Sequence, residues 1–224
     1  MVEPPLTSLS LTHIQFVAHD SIAHVFAYVT LLPLAIIVAY ASVIAARREI
    51  APFFALVGQL ANEGLNALLK QWIKQERPTQ LAKGYGMPSS HAQFMAFFAM
   101  YIAIYTYSFI TFKHSIWKHF IFTSLTAIAA MVSYSRIYLN YHTTEQVLIG
   151  ALVGSLFAIM WNFLIEKIVR PCGLVRWALE LPIAHWLSVR DSRDIPDVCA
   201  WEWENWRHWD KISKEKAQKF GKEE

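Results

Sequence analysis

Apolar residues in this chain come in long, almost uninterrupted blocks separated by short polar stretches. A helix needs about 20 mostly apolar residues to cross the hydrocarbon core of a bilayer. Five blocks reach or approach that length, so we predict an all-α fold, a polytopic helical bundle in a membrane. The five predicted spans are Ser21 to Ala46, Ala51 to Leu69, Ala92 to Phe112, Phe120 to Tyr134 and Gln146 to Ile165.

The segment Pro171 to Val189 is a further candidate, which makes the predicted number of transmembrane helices five to six. Arg176, Glu180 and Pro182 make a simple span costly there, so an interfacial or re-entrant segment is favoured. We predict a membrane-embedded domain over residues 1–190 and an interfacial, polar tail over 191–224. The tail's tryptophans are typical of an aromatic belt at headgroup level, and its last fifteen residues are predicted to be disordered.

Basic residues predict the orientation, because Lys and Arg beside spans favour the cytoplasmic side. With five spans, three basic groups lie on one side: Arg47 and Arg48, Lys113 and Lys118, and the group Lys167, Arg170 and Arg176. The opposite side also carries basic residues, in the connections 70–91 and 135–144. This departure from the rule indicates that those cations have another role.

Composition narrows the class of protein. The chain has 224 residues, of which 55% are hydrophobic and 17% charged, against about 25% charged in an average soluble domain. A formal net charge of +3 is too small to indicate a nucleic-acid partner. No Asp/Glu set has magnesium spacing and no His/Cys set has zinc spacing, so we predict neither a metal nor a cofactor.

The basic residues of the second side fall into three clusters. Each cluster lies at the beginning or the end of a predicted span, on one face of the membrane. If the second helix continued to Pro78, Lys70 and Arg77 would share a helical face, two turns apart. The clusters are Lys70 with Arg77-Pro78, then Pro88-Ser89-Ser90-His91, then Ser135-Arg136 with His142 and Gln146.

These residue types together suit a phosphate group. Arginine offers planar paired donors and lysine a point charge, and such a concentration of cations is unfavourable unless an anion is bound. Two histidines add groups for nucleophilic attack and proton transfer near neutral pH. The sequence therefore predicts phosphoryl transfer in which the protein itself supplies the cations.

The three clusters resemble the three-part signature of the type 2 phosphatidic acid phosphatase superfamily, which comprises integral membrane lipid phosphatases. The match covers residues 70–146, about a third of the chain. The resemblance implies a helical bundle with its site at the membrane rim and a phosphohistidine mechanism. It implies that His142 attacks phosphorus and His91 protonates the leaving oxygen, while phosphoryl oxygens are held by Lys70, Arg77, Ser89, Arg136 and backbone N–H near Ser90.

Gln146 stands where the superfamily usually has an aspartate that accepts a hydrogen bond from the nucleophilic histidine. A glutamine carbonyl accepts the same bond and fixes the tautomer, but it supplies no charge. The motif Tyr141 to Val147 resembles the dolichyl diphosphate phosphatase branch, as do Asn62 to Asn66 and Leu11 to His13. That branch acts at the endoplasmic reticulum membrane with its site facing the lumen, as part of the recycling of the lipid carrier for protein N-glycosylation.

Polar residues inside the second span require a separate explanation. Asn62, Asn66 and Lys70 recur at four-residue steps, with Glu63 beside them. They either support Lys70 and the polar end of the lipid path, together with Ser135, or form a hydrogen-bonded seam between helices. The Gly150-x-x-x-Gly154 pattern indicates close helix packing, against a helix that the sequence does not identify.

We therefore predict hydrolysis of dolichyl diphosphate to dolichyl phosphate and inorganic phosphate, with a polyprenyl diphosphate lipid and the bilayer as partners. Another phosphatase of the superfamily, acting on phosphatidate, a sphingoid phosphate or a sugar phosphate, is the nearest alternative. A non-catalytic phospholipid-binding or transport protein is the alternative outside the enzymes, and Gln146 is the feature in its favour.

Overall fold

The computed structural model describes residues 6–8, 14–79, 81 and 84–220, and the fold is mostly helical. Two short antiparallel strands precede the helices, β1 (Leu6–Ser8) and β2 (Gln15–Val17). This hairpin departs from the all-α prediction, and the reason is its length: three-residue strands leave no readable alternation in the sequence. The Leu11 to His13 motif lies outside the described residues.

Six helices make up the body of the molecule. They are α1 (Ser21–Val29), α2 (Leu32–Arg47), α3 (Ile50–Ile73), α4 (Ser90–Phe109), α5 (Ile116–Tyr138) and α6 (Thr144–Leu164). A π-helical turn (Ile165–Val169) continues α6, and three further helices follow: α7 (Leu174–Glu180), α8 (Pro182–Leu187) and α9 (Val198–Phe220).

Four segments of the described chain are long and apolar enough to cross a membrane: Ser21–Arg47, Ser90–Phe109, Ile116–Tyr138 and Thr144–Val169. They confirm four of the predicted blocks as helices of spanning length. The remaining block lies in α3, whose 24 residues are long enough but include the buried polar residues Gln59, Asn62 and Asn66. The count of five spans stays a prediction.

Helix α4 lies at the centre and packs against α3, α5 and α6. Phe97 and Met95 on α4 are completely buried. The closest approach is to α6, where a Cβ on Gly150 would lie 2.6 Å from the Ser89 carbonyl oxygen, and a Cβ on Gly154 would collide with that of Gln93. The glycine pair predicted to pack closely therefore packs against α4 of the same chain.

The end of the bundle with the C-terminus of α4 carries an ion-pair network. Arg170 binds Glu166 (3.1 Å) and Asp191 (2.5 Å), and Arg190 binds Glu202 (2.8 Å). Arg47 also binds Glu202 (2.8 Å). The predicted basic groups after α2 and α6 thus lie at one end, and the network crosses the predicted boundary at residue 190.

Two expectations for the C-terminal part can be compared with the structure. Residues 171–189 hold the short helices α7 and α8, which agrees with the prediction that this segment is no simple span. The expected disorder of the last fifteen residues is wrong as far as Phe220, because α9 continues to that residue. Lys214 and Asp210, four residues apart on this helix, form an ion pair (2.7 Å) of the kind that stabilises helices.

Candidate active site

The three sequence clusters meet at the end of the bundle where α4 begins. Lys70 lies in the last turn of α3, Ser89 and Ser90 begin α4, and Arg136 lies in the last turn of α5. His142 immediately precedes the N-cap of α6. Four helix ends therefore bring together residues that are up to 76 positions apart, from Lys70 to Gln146.

His142 is fixed by the way the chain leaves α5. The backbone N–H groups of Tyr141 (3.0 Å) and His142 (3.2 Å) both donate to the Arg136 carbonyl, which closes the helix. Asn140 turns the chain with a positive φ of 57°, a conformation that asparagine adopts more readily than most residues. The predicted connection 135–144 is therefore shorter than expected, because α5 continues to Tyr138 and includes Ser135 and Arg136.

The His142 imidazole is buried and hydrogen-bonded at both nitrogens. Its Nδ1 lies 3.0 Å from Gln146 Oε1, and its Nε2 lies 3.3 Å from Arg77 Nη1. Because a guanidinium only donates, Nε2 is the acceptor and Nδ1 carries the proton that Gln146 accepts. Burial lowers the pKa of His142 to about 3, with the charges of Arg77 and Arg136 adding to the effect. The side chain is a neutral imidazole with its lone pair on Nε2.

Arg77 does not share a helical face with Lys70, which corrects the prediction. Helix α3 ends at Ile73, where Lys74 takes a left-handed conformation (φ 53°). Arg77 comes to the site from the following loop, and its Nε donates to the Gly84 carbonyl (3.2 Å). Burial lowers the pKa of its guanidinium.

Lys70 and Arg136 complete the basic cluster. Lys70 Nζ donates to Ser90 Oγ (3.4 Å), and the Arg136 guanidinium lies over the Tyr141 ring (4.1 Å). Within the described part of the chain, neither these two residues nor Arg77 forms an ion pair with a carboxylate. Arg136 Nε and Ser89 Oγ are buried and have no hydrogen-bond partner among those residues. The site thus carries a concentrated, unneutralised positive charge.

The beginning of α4 is held from two sides. Ser89 N–H donates to the backbone carbonyl of Gln146 (2.9 Å), and Asn66 Nδ2 donates to the backbone carbonyl of Pro88 (3.3 Å). Ser89 occupies the N-cap position without using its side chain as a cap. His91, in the first turn, is close enough to Arg136, His142 and Lys70 for their charges to act on it.

The polar stripe on α3 forms a hydrogen-bonded seam with α4. Asn66 Nδ2 donates to Gln93 Oε1 (2.8 Å), and Gln93 Nε2 donates to Asn62 Oδ1 (2.9 Å). The charge of Glu63 acts on Lys70, and Glu63 Oε1 is buried without a hydrogen-bond partner in the described chain. Ser135 donates to the Val132 carbonyl (2.6 Å) of its own helix. Of these four predicted supporting residues, only Asn66 has a described side-chain hydrogen bond to the segment Pro88 to His91, at the Pro88 carbonyl.

Three features were missed from sequence. Gln93 is completely buried in the seam, and nothing in its position within an apolar block indicated this. Thr143 and Gln146 form a capping box at the start of α6, and their three-residue spacing matches that motif. Gln75 accepts a hydrogen bond from Gln146 Nε2 (3.2 Å), and only its proximity to Arg77 could have indicated this. No group of His, Cys, Asp or Glu residues suited to a metal ion occurs in the ranges that the structure describes.

Comparison with known proteins shows the family of this chain. The PAP2 superfamily profile matches residues 51–169. Dolichyldiphosphatase 1 of Homo sapiens is 36% identical over 208 residues, covering 87% of this chain and 86% of the relative. Dolichyldiphosphatase 1 of Dictyostelium discoideum is 38% identical over 205 residues, covering 89% of each chain.

Two further matches widen the comparison. Lipid phosphate phosphatase gamma of Arabidopsis thaliana is 31% identical, over 92% of this chain and 94% of the relative. A solved transmembrane PAP2-type phosphatidylglycerolphosphate phosphatase from Bacillus subtilis has a TM-score of 0.56 and 26% identity, covering 67% of this chain and 79% of that one. The profile includes more than half of the chain, and the relatives match nearly all of it. The chain belongs to the PAP2 superfamily and groups within it with the dolichyldiphosphatases.

Proposed function

We propose that this chain hydrolyses dolichyl diphosphate to dolichyl phosphate and inorganic phosphate. The observation that carries the proposal is the match, over most of both chains, to relatives named dolichyldiphosphatase. The site supports the same chemistry, because three cations without carboxylate partners in the described chain surround a neutral imidazole. A diphosphate is the kind of anion that such a cluster would bind.

In the proposed mechanism, Nε2 of His142 attacks the terminal phosphorus of the substrate. The bond from that phosphorus to the bridging oxygen breaks, and dolichyl phosphate leaves with a proton from His91. Water then attacks the phosphorus of the phosphohistidine and gives a proton to His91. The bond from phosphorus to Nε2 breaks, which returns the lone pair to His142 and releases inorganic phosphate. Lys70, Arg77, Arg136, Ser89 and the N–H groups near Ser90 hold the phosphoryl oxygens during both steps.

Gln146 holds the imidazole in the orientation that this attack requires. Its oxygen accepts from Nδ1–H, which leaves the lone pair on Nε2. The superfamily's aspartate would also stabilise a positively charged imidazole, and here the low pKa of His142 keeps the ring neutral without that charge.

We propose that the site lies at the lumenal rim of the endoplasmic reticulum membrane in a five-span arrangement, with residues 191–224 on the cytoplasmic side. The basic groups that flank the opposite ends of the helices support this orientation. The polyprenyl chain would stay in the bilayer while the diphosphate enters the site.

Phosphate release by the purified protein tests the proposal. We expect release from dolichyl diphosphate to exceed release from phosphatidate and sphingosine phosphate at equal surface concentration, to continue in excess chelator, and to be lost in His142→Ala. A preference for phosphatidate would overturn the substrate assignment. Full release by His142→Ala would overturn the mechanism, and headgroup binding without release by the wild type would indicate a binding protein.

A phosphoenzyme provides a second measurement. Brief reaction with substrate labelled in the terminal phosphate should give acid-labile, base-stable label on the wild type. His91→Ala should accumulate more label than the wild type if the second step is slowed more than the first. The absence of label from the wild type and from His91→Ala would contradict a covalent intermediate.

A further inference from the structure

The buried carboxamide of Gln146 makes hydrogen bonds in two directions. Its oxygen accepts from His142 Nδ1 (3.0 Å) and from the Thr143 N–H (3.3 Å). Its nitrogen donates to the Glu76 carbonyl (2.8 Å) and to Gln75 Oε1 (3.2 Å). A carboxamide offers two donors and two acceptor positions, so every one of them is used.

The direction of this carboxamide follows from Arg77. Because Arg77 donates to His142 Nε2, the proton of the ring is on Nδ1, and the group facing it must be the oxygen of Gln146. The NH₂ group then faces two acceptors, the Glu76 carbonyl and Gln75. A carboxylate in this place would have no proton to donate to either one, which gives a physical reason for glutamine.

The loop that carries Arg77 is wrapped around this carboxamide. Gln75 is two residues before Arg77, and its carbonyl accepts from the Gly86 N–H (2.7 Å). Gly86 is buried, and a Cβ there would lie 2.6 Å from Gln146 Nε2. Residues 75–77 and 84–86 therefore lie together, and both pack against the side chain that also orients His142.

We infer that Gln75 is a positioning residue for phosphate binding. Through its hydrogen bond to the Gln146 carboxamide, it holds the loop of Arg77 at the place where Arg77 lies beside His142. In the described chain no hydrogen bond joins the Gln75 side chain to His142 or Arg77, so it acts through Gln146. The inference rests on the proposed function, since it takes Arg77 as a ligand of the phosphoryl group and His142 as the nucleophile.

The test compares Gln75→Leu, which removes the acceptor, with Gln75→Glu, which keeps an acceptor oxygen. Glu145→Gln is the matched control, because Glu145 is exposed and adjacent to Gln146 in sequence. We expect Gln75→Leu to lower kcat/KM about tenfold, the effect of leaving one buried donor unpaired. Gln75→Glu and Glu145→Gln should stay close to the wild type in kcat/KM and in thermal midpoint, whereas Gln75→Leu should also unfold at a lower temperature, because its unpaired donor destabilises the folded chain. An equal loss in Gln75→Glu and Gln75→Leu would overturn the role of the acceptor.

Orthovanadate inhibition separates positioning from general destabilisation. The inhibition constant for orthovanadate should rise in Gln75→Leu. In an Arg77→Ala background, where orthovanadate binding is measured directly, adding Gln75→Leu should leave the dissociation constant unchanged. Independent effects of the two substitutions would overturn the inference, whatever the thermal midpoints are. Failure of the proposed function would look different: His142→Ala would keep its activity while the coupling between Gln75 and Arg77 in orthovanadate binding remained.

Gln146→Asp provides the third variant. If the NH₂ group is needed for the loop, introducing the aspartate common in the superfamily should lower activity rather than raise it. Equal or higher activity in Gln146→Asp would overturn the need for a donor at this position.

Discussion

His142 is a neutral ring inside a positively charged site, so the folded protein loses stability at acidic pH, where the free side chain would be protonated. Its pKa in the folded protein is about 3, against 6.5 for the free side chain. Between these values the unfolded chain binds more protons, so stability rises with pH in this window. The stabilising contribution is complete above about pH 6.5 and is lost as the pH falls towards 3.

The expected result is a difference between the wild type and His142→Asn, which does not titrate. Relative to that variant, the wild type should lose about 2 kcal/mol of unfolding free energy between pH 6.5 and 5, from about 1.4 kcal/mol per pH unit. Thermal unfolding in detergent without phosphate measures it. If the unfolding free energies of the wild type and His142→Asn changed equally with pH over this range, a depressed pKa at His142 would be contradicted.

Tyr141 connects the N-terminal hairpin to Arg136. Its hydroxyl accepts from the Gln15 N–H (2.8 Å) and donates to the Gln15 carbonyl (3.2 Å), while its ring lies under the Arg136 guanidinium. Tyr141→Phe removes only the hydroxyl, so it should lower stability by about 1–2 kcal/mol and leave KM nearly unchanged. Tyr141→Leu also removes the aromatic face, and KM should rise several-fold. Equal KM values in the two variants would show that the ring does not position Arg136.

At the scale of elements, α4 and α6 approach each other because two glycines have no side chain. A Cβ on Gly150 would lie 2.6 Å from the Ser89 carbonyl and 3.2 Å from its nitrogen, which donates to the Gln146 carbonyl. Gly150→Ala should therefore move the beginning of α4 away from α6, at a cost of about 1–3 kcal/mol. Activity should fall by more than tenfold, because the N–H groups near Ser90 move with the helix.

Gly64→Ala is the matched control for that substitution. Gly64 lies on α3, and a Cβ there would have no neighbour within 4 Å. Its hydrolysis rate should equal that of the wild type. A similar rate for Gly150→Ala would mean that the close approach of the two helices does not position the site.

How far these elements could be predicted from sequence depends on what sets each of them. Apolar blocks located α2, α4 and α6 because the requirement to cross hydrocarbon acts on every residue of a span. The last turn of α5 was missed because Ser135 and Arg136 are polar yet buried, which depends on tertiary contacts. Arg77 was assigned to a helix that ends earlier, since a left-handed Lys74 has no sequence signature.

Part of the site could be predicted from sequence, because some of its residues belong to motifs with fixed spacing. His142, Arg136 and Lys70 belong to spaced motifs, and the structure brings them together. Gln75 and Gln93 belong to none, because their roles arise from the neighbours that they meet: Gln146 in one case and the asparagines of α3 in the other.

At the scale of the whole molecule, the two ends of the bundle differ in charge balance. At the end where α4 begins, the three cations have no carboxylate partners in the described chain, whereas the other end pairs arginines with Glu49, Glu166, Asp191 and Glu202. The 20 residues of α4 separate the two ends by about 30 Å, a membrane thickness. A cavity of about 720 Å³, lined by Tyr40, Tyr101 and Cys199 among others, lies at the paired end, away from the candidate active site.

The proposed orientation can be measured with thiols. Cys172 and Cys199 are exposed at the paired end and should react with a membrane-impermeant maleimide in sealed microsomes. A Glu145→Cys variant, in a background with both native cysteines changed to serine, should react only after permeabilisation. Reaction of Glu145→Cys in sealed microsomes would place the site on the cytoplasmic side.

The contact between Arg77 and Nε2 of His142 means that, before substrate binds, the atom proposed to attack phosphorus already accepts a hydrogen bond. An uncharged electrophile provides no anionic acceptor for the guanidinium. Arg77 then stays hydrogen-bonded to Nε2 and blocks access to that atom. A phosphate group would offer the guanidinium charged oxygens in place of Nε2, and in the proposed mechanism Nε2 is then free to attack phosphorus. The hydrogen bond from Arg77 thus makes the negative charge of a reactant a condition for its access to His142, before the shape of the reactant matters.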